Sequence, residues 1–185
     1  SIKNLLIKKK QNFKEIELNN FDTNIDLKNL KKYINIFKKK INFIPITFTR
    51  GKIIFFDEKN YISTITDTDL DLIIQEDFKE VKLRGKFLND NIYISLNSKK
   101  INNKPSTDII LKMSDLNLLT KANFFNSDKD KDAISGNILI KKDKHRFTGI
   151  FYYKDNEVTI NKSNLKNIFL DGKLKGKIKF LPYFD

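Results

Sequence analysis

Apolar and polar residues alternate along most of this chain with a period of two. The alternation is clearest in residues 67–74, 82–87 and 91–96. Successive side chains of a β-strand point to opposite faces of its sheet, so the pattern predicts strands with one apolar and one polar face. Similar runs recur along the chain with short polar segments between them, which is typical of an antiparallel meander. The sequence therefore predicts a mainly β protein.

One segment near the N-terminus has a different period. Its apolar residues are spaced as on one side of a helix: Leu27, Leu30, Tyr33, Ile34 and Phe37. This spacing predicts a short amphipathic helix over about residues 27–39, with Asp26 as its N-cap. We expect the helix to cover one end of the sheet; binding to a partner is the alternative.

We expect residues 1–185 to form a single β-rich segment. The chain begins with Ser1 and ends on Asp185 just after a strand-like run, so we interpret it as an excerpt of a longer protein. A signal or anchor segment missing from an excerpt says nothing about localisation. The polar residues at about 126–133 predict a flexible loop.

Glycine recurs at or near the predicted strand starts. It does so at Gly51, Gly85, Gly136, Gly149, Gly172 and Gly176. A glycine in a strand relieves crowding, marks a bulge or permits a sharp twist. No glycine run matches the phosphate-binding patterns, which need a helix directly after the loop. We therefore interpret these glycines as structural.

The net charge of +13 raises the question of nucleic-acid binding. Arg is the residue favoured for bidentate contacts to phosphate and guanine, yet the chain has only Arg50, Arg84 and Arg146 among its 36 basic residues. The many Lys residues are spread along the predicted polar faces. We therefore expect no nucleic-acid partner, and Lys-driven nucleic-acid binding is kept as the weakest alternative.

The sequence offers no credible catalytic centre. It contains no Cys, which excludes disulfides and thiol chemistry, and His145 is flanked by Lys144 and Arg146 in a cationic setting unsuited to a general base. The alternating residues Asp67, Asp69 and Asp71 would share one strand face. Their spacing of ~7 Å is too wide for one cation, so we expect them to pair with Lys on neighbouring strands. The acidic run at 128–132 lacks the central Gly and closing Glu of a calcium loop. We predict no enzyme activity, no metal and no cofactor.

Several strand motifs resemble those of the AsmA-like family of bacterial envelope proteins. The resemblance covers about residues 26–185 and follows the order of that family. It begins with the short helix and the strand Arg50-Gly51-Lys52-Ile53-Ile54-Phe55-Phe56-Asp57. Next come Asp69-Leu70-Asp71-Leu72, Gly85-Lys86-Phe87, Phe147-Thr148-Gly149-Ile150-Phe151 and Gly172-Lys173-Leu174-Lys175-Gly176.

The resemblance implies a long, twisted antiparallel sheet folded over a hydrophobic groove, as in bridge-like lipid transfer proteins. It also implies a non-enzymatic protein of the periplasm, anchored in the inner membrane by a segment outside this sequence. Such proteins influence phospholipid transport and outer-membrane biogenesis and homeostasis. Phospholipid, or another lipid with acyl chains, would be the partner.

Candidate groove residues are those on the alternating apolar faces of three consecutive strands. They are Leu70, Leu72, Ile74, Val81, Leu83, Phe87, Ile92, Ile94 and Leu96. The main alternative to a lipid groove is a structural or assembly module, whose exposed strand edges pair with neighbouring β-segments.

Overall fold

A computed structural model describes residues 14–29, 42–101, 104–126, 133–155 and 157–179. Within these ranges the chain forms thirteen strands, which we number in chain order: β1 (Ile16–Asn19), β2 (Asp22–Asp26), β3 (Ile46–Asp57), β4 (Asn60–Ile74), β5 (Phe78–Phe87), β6 (Asp90–Ile101), β7 (Lys104–Met113), β8 (Leu118–Asn126), β9 (Ile134–Lys142), β10 (His145–Lys154), β11 (Glu157–Lys166), β12 (Asp171–Gly172) and β13 (Gly176–Lys179).

The strands belong to one open mixed sheet, which confirms the predicted mainly β class. Its hydrogen-bonded order is β1-β3-β4-β5-β6-β7-β8-β9-β10-β11-β12, with β2 beside β3 and β13 beside β11. From β3 onward the order follows the chain, as in the predicted meander. The first two strands differ from that prediction, because β1 and β2 both pair with β3 in the parallel direction.

The chain divides into two compact units, Ser1–Tyr93 and Ile94–Asp185. In the first unit, β3 is antiparallel to β4 and β4 to β5, while β1 and β2 share the other edge of β3. In the second unit, β7 to β11 are successive antiparallel neighbours, and β12 and β13 both pair with β11.

Register shifts interrupt the ladders of the first unit, and two of them coincide with residues in the left-handed region. The register between β3 and β4 shifts on both sides of Gly51, and that between β4 and β5 shifts between Thr66 and Asp69. Arg50 and Asp67 have φ angles of 55° and 48°, in the left-handed region that accommodates an extra residue. Thr68 is fully buried at the second bulge, where its hydroxyl donates a hydrogen bond of 3.1 Å to the Ile65 carbonyl.

Tight turns join the long strands, as the polar segments between them predicted. Leu88 and Asn89 connect β5 to β6 with φ angles of 52° and 66°, and positive φ at both central residues matches the twist of a two-residue hairpin. Asp143 has a φ of 51° in the turn between β9 and β10.

The predicted helix over residues 27–39 is not confirmed. Leu27–Asn29 form a short 3₁₀ turn, and residues 30–41 lie outside the described ranges. Asp26 does accept a hydrogen bond of 3.0 Å from the Lys28 amide, as expected of a cap. The predicted flexible loop at 126–133 falls mostly on residues 127–132, which are also outside the description. No helix in the described part of the chain is long and apolar enough to cross a membrane.

Candidate functional site

The apolar side chains of the first unit form rows across three strands. Residues directly opposite each other in an antiparallel pair share a face of the sheet. The registers of β3 with β4 and of β4 with β5 therefore define three rows of apolar residues. One row contains Ile46, Leu72 and Val81, and the next contains Phe48, Leu70 and Leu83. A third row, beyond the bulges, contains Ile53, Ile65 and Phe87. We call these nine residues the apolar face of the first unit.

The nine predicted groove residues differ in burial. Leu83 is 7% exposed, Ile92 8% and Ile74 9%, so these three side chains are buried within the protein. The other six are partly exposed: Leu70, Leu72, Val81, Phe87, Ile94 and Leu96. Register brings Leu70 opposite Leu83 and Leu72 opposite Val81, whereas Ile74 lies opposite Lys79. Ile92 belongs to the first unit, and Ile94 and Leu96 belong to the second.

Sequence reasoning did not single out Ile46 and Phe48, which extend two of the rows onto β3. Both are partly exposed, and the Phe48 ring lies 4.9 Å from the Phe21 ring, centroid to centroid. Their alternation with Thr47 was the available signal. The pairing of β3 with β4 shows that they share a face with the predicted residues.

The second unit has a larger apolar face of its own. Registers between β7 and β11 place the following residues on one side of the sheet, which we call the apolar face of the second unit: Ile109, Leu111, Met113, Leu118, Ala122, Phe124, Ile138, Ile140, Phe147, Phe151, Val158, Ile160 and Leu165. Met113 alone among them is buried. The other twelve are partly exposed, so this face retains apolar surface open to a ligand.

A glycine leaves room for an aromatic ring on this second face. A β-carbon on Gly136 would lie 2.5 Å from Cζ of Phe151, the residue directly opposite on β10. The Phe151 ring therefore occupies the space over Gly136 and meets the Phe124 ring edge-on at 5.5 Å. The structural interpretation of the glycines holds here and at Gly51, where an added β-carbon would lie 2.1 Å from the Phe21 ring.

The acidic residues of β4 were predicted to pair with Lys on neighbouring strands, and among the described residues Asp67 alone does so; Asp71 lies near an Arg and Asp69 accepts a hydrogen bond from a backbone amide. The Lys86 ammonium lies 3.0 Å from Asp67, and the Arg84 guanidinium lies 3.9 Å from Asp71. The Asp69 carboxylate accepts a hydrogen bond of 3.1 Å from the Arg50 amide. The bulge takes Asp67 out of the simple alternation that relates Asp69 to Asp71. In the part of the chain that the structure describes, no group of three or more potential ligands could hold a metal ion.

Three ionisable groups that form ion pairs have shifted pKa values. A hydrogen bond from Lys177 lowers the pKa of Glu157, and one from Lys142 lowers the pKa of Asp143. A hydrogen bond to Glu80 raises the pKa of Lys82. Each shift reflects an ordinary surface ion pair, and His145 is exposed at the start of β10.

No protein-family model, curated protein or solved structure matches this chain. Its function is therefore inferred from the geometry of the sheet. The partly exposed apolar faces are the chemically distinctive surface, since they offer dispersion contacts and removal of apolar groups from water.

Proposed function

We propose that this protein shields the acyl chains of phospholipid, or of another lipid, against the apolar faces of its sheet, without catalysis. The observation that carries the proposal is the partial exposure of these faces in each unit. Among the described residues, seven apolar side chains are buried, and of these only Met113 and Ala133 belong to the second unit. Rows of partly exposed Leu, Ile, Val and Phe side chains therefore lie beside few buried ones.

The energetics of such a surface suit an acyl chain. Each methylene transferred from water to an apolar surface contributes ~0.8 kcal/mol. A row of three side chains on neighbouring strands spans roughly 10 Å, because strands lie ~4.8 Å apart. Several methylenes fit along such a row, so their combined transfer offsets the cost of ordering a flexible chain. The binding needs no specific polar group within the face.

The resemblance of the strand motifs to AsmA-like proteins gives this proposal a cellular setting. We place the protein in the periplasm, anchored in the inner membrane by a segment outside this sequence. There it would contribute to phospholipid transport and to outer-membrane homeostasis. The partner is then a lipid with acyl chains.

The alternative of a structural module that pairs through its strand edges has less support. Within the described residues, the strands at the sheet edges are short: β1 and β2 on one side, and β12 and β13 on the other. In β13 both Lys177 and Lys179 are exposed. Short edge strands that carry Lys are a common way to discourage edge pairing.

The proposal is tested by a pair of substitutions on opposite faces of the same two strands. The variant Leu72→Thr/Val81→Thr changes a directly opposed apolar pair to polar residues that still favour strands. We expect lipid to be lost from the first unit only, so that the total bound lipid falls below that of the unsubstituted protein. A loss of ~1.4 kcal/mol of transfer free energy weakens binding at this face tenfold, while the apolar face of the second unit is unchanged. Lipid extracted from purified protein and quantified by mass spectrometry gives the measurement.

The matched control is Asp71→Thr/Lys82→Thr, the neighbouring opposed pair on the polar face. It leaves the net charge unchanged and should bind as much lipid as the unsubstituted protein. Equal lipid in all three proteins would exclude the apolar face of the first unit as a lipid site, and no lipid in any of them would exclude both faces.

A further inference from the structure

The polar face of the second unit contains an open depression with a volume of about 730 Å³. Its walls come from strands β7 to β11, and most of its lining residues lie on the opposite side of the sheet from the apolar face of that unit, although Ile109, Ala122 and Ile138 of that face also line it. Its charged residues lie on the side of the sheet away from the surface that we propose for acyl chains. A volume of this size is within the range of small-molecule sites.

Three basic side chains surround the middle of the depression. Lys121 lies directly across from Leu139, which lies across from Thr148 on β10. Arg146 and Lys162 lie on either side of that row, because Arg146 pairs with Lys166 and Lys162 pairs with Ile150. Strand spacing places the three α-carbons roughly 7–10 Å from that of Thr148. Their side chains can therefore converge on one group above Thr148.

The three cations have no acidic partner in the described part of the chain. The ion pairs on this side of the unit involve other residues: Lys166 with Asp171 at 3.6 Å, and Lys177 with Glu157 at 2.8 Å. One carboxylate, Asp108, lines the depression, and it accepts a hydrogen bond of 2.7 Å from the Asn123 amide. Three positive charges against one negative charge leave a site that favours an anion.

The floor of the depression is apolar. Ile110, Leu139 and Ile150 all line it, and Ile150 is 45% exposed although it lies on the polar side of the sheet. Leu139 is flanked along β9 by Asn137 and Lys141 on the same face. An inorganic anion would leave these side chains in contact with water, whereas a ligand with an apolar body would cover them.

We propose that this depression binds an amphipathic phosphate, with the phosphate held by Lys121, Arg146 and Lys162 and the apolar body resting on Ile110, Leu139 and Ile150. The Thr148 hydroxyl supplies a further hydrogen-bond donor. Such a phosphate is carried either by a lipid headgroup or by a free phosphate ester with an apolar substituent. Two of the three cations are Lys, which is a point charge suited to phosphate without a demand for bidentate geometry.

The test measures binding of the full chain to four probes by isothermal titration calorimetry at one ionic strength. The probes are dihexanoylphosphatidic acid below its micellar concentration, phenyl phosphate, inorganic phosphate and a single-stranded oligonucleotide. We expect at least one of the first two probes to bind at least tenfold more tightly than inorganic phosphate. Tighter binding of phosphatidic acid points to a lipid headgroup, and tighter binding of phenyl phosphate points to a free ester.

The variant Arg146→Gln/Lys162→Gln removes two of the three cations. We expect it to weaken binding of the preferred probe at least tenfold, since hydrogen bonds to charged groups contribute strongly to affinity. The control Lys173→Gln/Lys175→Gln carries the same change of net charge at two exposed residues of the same unit, outside the depression. It should bind within twofold of the unsubstituted protein. Circular dichroism checks that each variant is folded.

Three results would overturn this inference. The first is an affinity for inorganic phosphate as high as that for both amphipathic probes. The second is an equal loss of affinity in the control variant Lys173→Gln/Lys175→Gln. The third is tight, salt-sensitive oligonucleotide binding with no affinity for either amphipathic phosphate. These results are distinguishable from failure of the proposed function, because Leu72→Thr/Val81→Thr leaves the depression intact.

Discussion

Replacement of Gly136 by alanine is expected to destabilise the second unit by about 1–3 kcal/mol, the usual cost of overpacking a filled site. The added β-carbon would lie 2.2 Å from the Asn123 carbonyl oxygen on β8, in addition to its clash with the Phe151 ring. A carbonyl oxygen in a strand cannot move away without disturbing its ladder. The ring can rotate only by losing its contact with Phe124.

Urea unfolding followed by circular dichroism measures this effect as a shift in midpoint with an unchanged slope. The matched control is Gly176→Ala, because a β-carbon at Gly176 would have no neighbour within 4 Å. We expect the control to remain within ~0.5 kcal/mol of the unsubstituted protein. If Gly136→Ala unfolded at the same urea concentration as the control, β8 and the Phe151 ring of β10 would not lie as close to Gly136 as described.

The second large effect is expected for Leu83→Ala, at about 2–4 kcal/mol of unfolding free energy. Leu83 is 7% exposed and lies opposite Leu70, in the row that continues to Phe48. Truncation removes the transfer free energy of three carbon atoms and leaves a cavity that the strands fill only in part. This residue therefore supports the apolar face from within the protein.

Leu88→Ala serves as the matched control, since Leu88 follows β5 in the adjoining turn and is 78% exposed. Its substitution should change the unfolding free energy by less than ~0.5 kcal/mol. Comparable midpoints for Leu83→Ala and Leu88→Ala in urea would show that Leu83 is not buried. That result would also remove the distinction between buried and partly exposed residues of this face.

Much of the fold could be predicted because one physical signal dominates the sequence. The period-two alternation predicts strands at residues 82–87 and 91–96, and both segments lie within strands of the structure, β5 (Phe78–Phe87) and β6 (Asp90–Ile101). Side chains two residues apart in a strand point to the same face, so the alternation alone predicts that Leu70 and Leu72 share a face.

Other features depend on contacts between distant residues and leave little local trace. The left-handed Arg50 and Asp67 lie at bulges; Arg does not favour this conformation, and Asp favours it too weakly to mark a bulge by itself. The parallel pairing of β1 and β2 with β3 arises from long-range contacts. Alternation does not separate the buried Leu83 from the partly exposed Val81 on the same strand, because burial depends on neighbouring strands.

The basic depression also required the register of the strands. Lys121, Arg146 and Lys162 are far apart in sequence and looked like evenly distributed surface charge. Pairing of β8, β9, β10 and β11 brings them around Thr148. Composition showed the excess of positive charge, but only the sheet shows where three of these charges surround apolar side chains.

Photo-crosslinking from two adjacent residues tests the central claim most directly. A benzophenone amino acid replaces either Leu72, on the apolar face, or Asp71, on the opposite face of the same strand. The full chain is irradiated in the presence of phospholipid vesicles, and its adducts are identified by mass spectrometry. Lipid shielding predicts phospholipid adducts from position 72 and only background from position 71. Equal adduct yields at the two positions, or no lipid adduct at position 72, would contradict it.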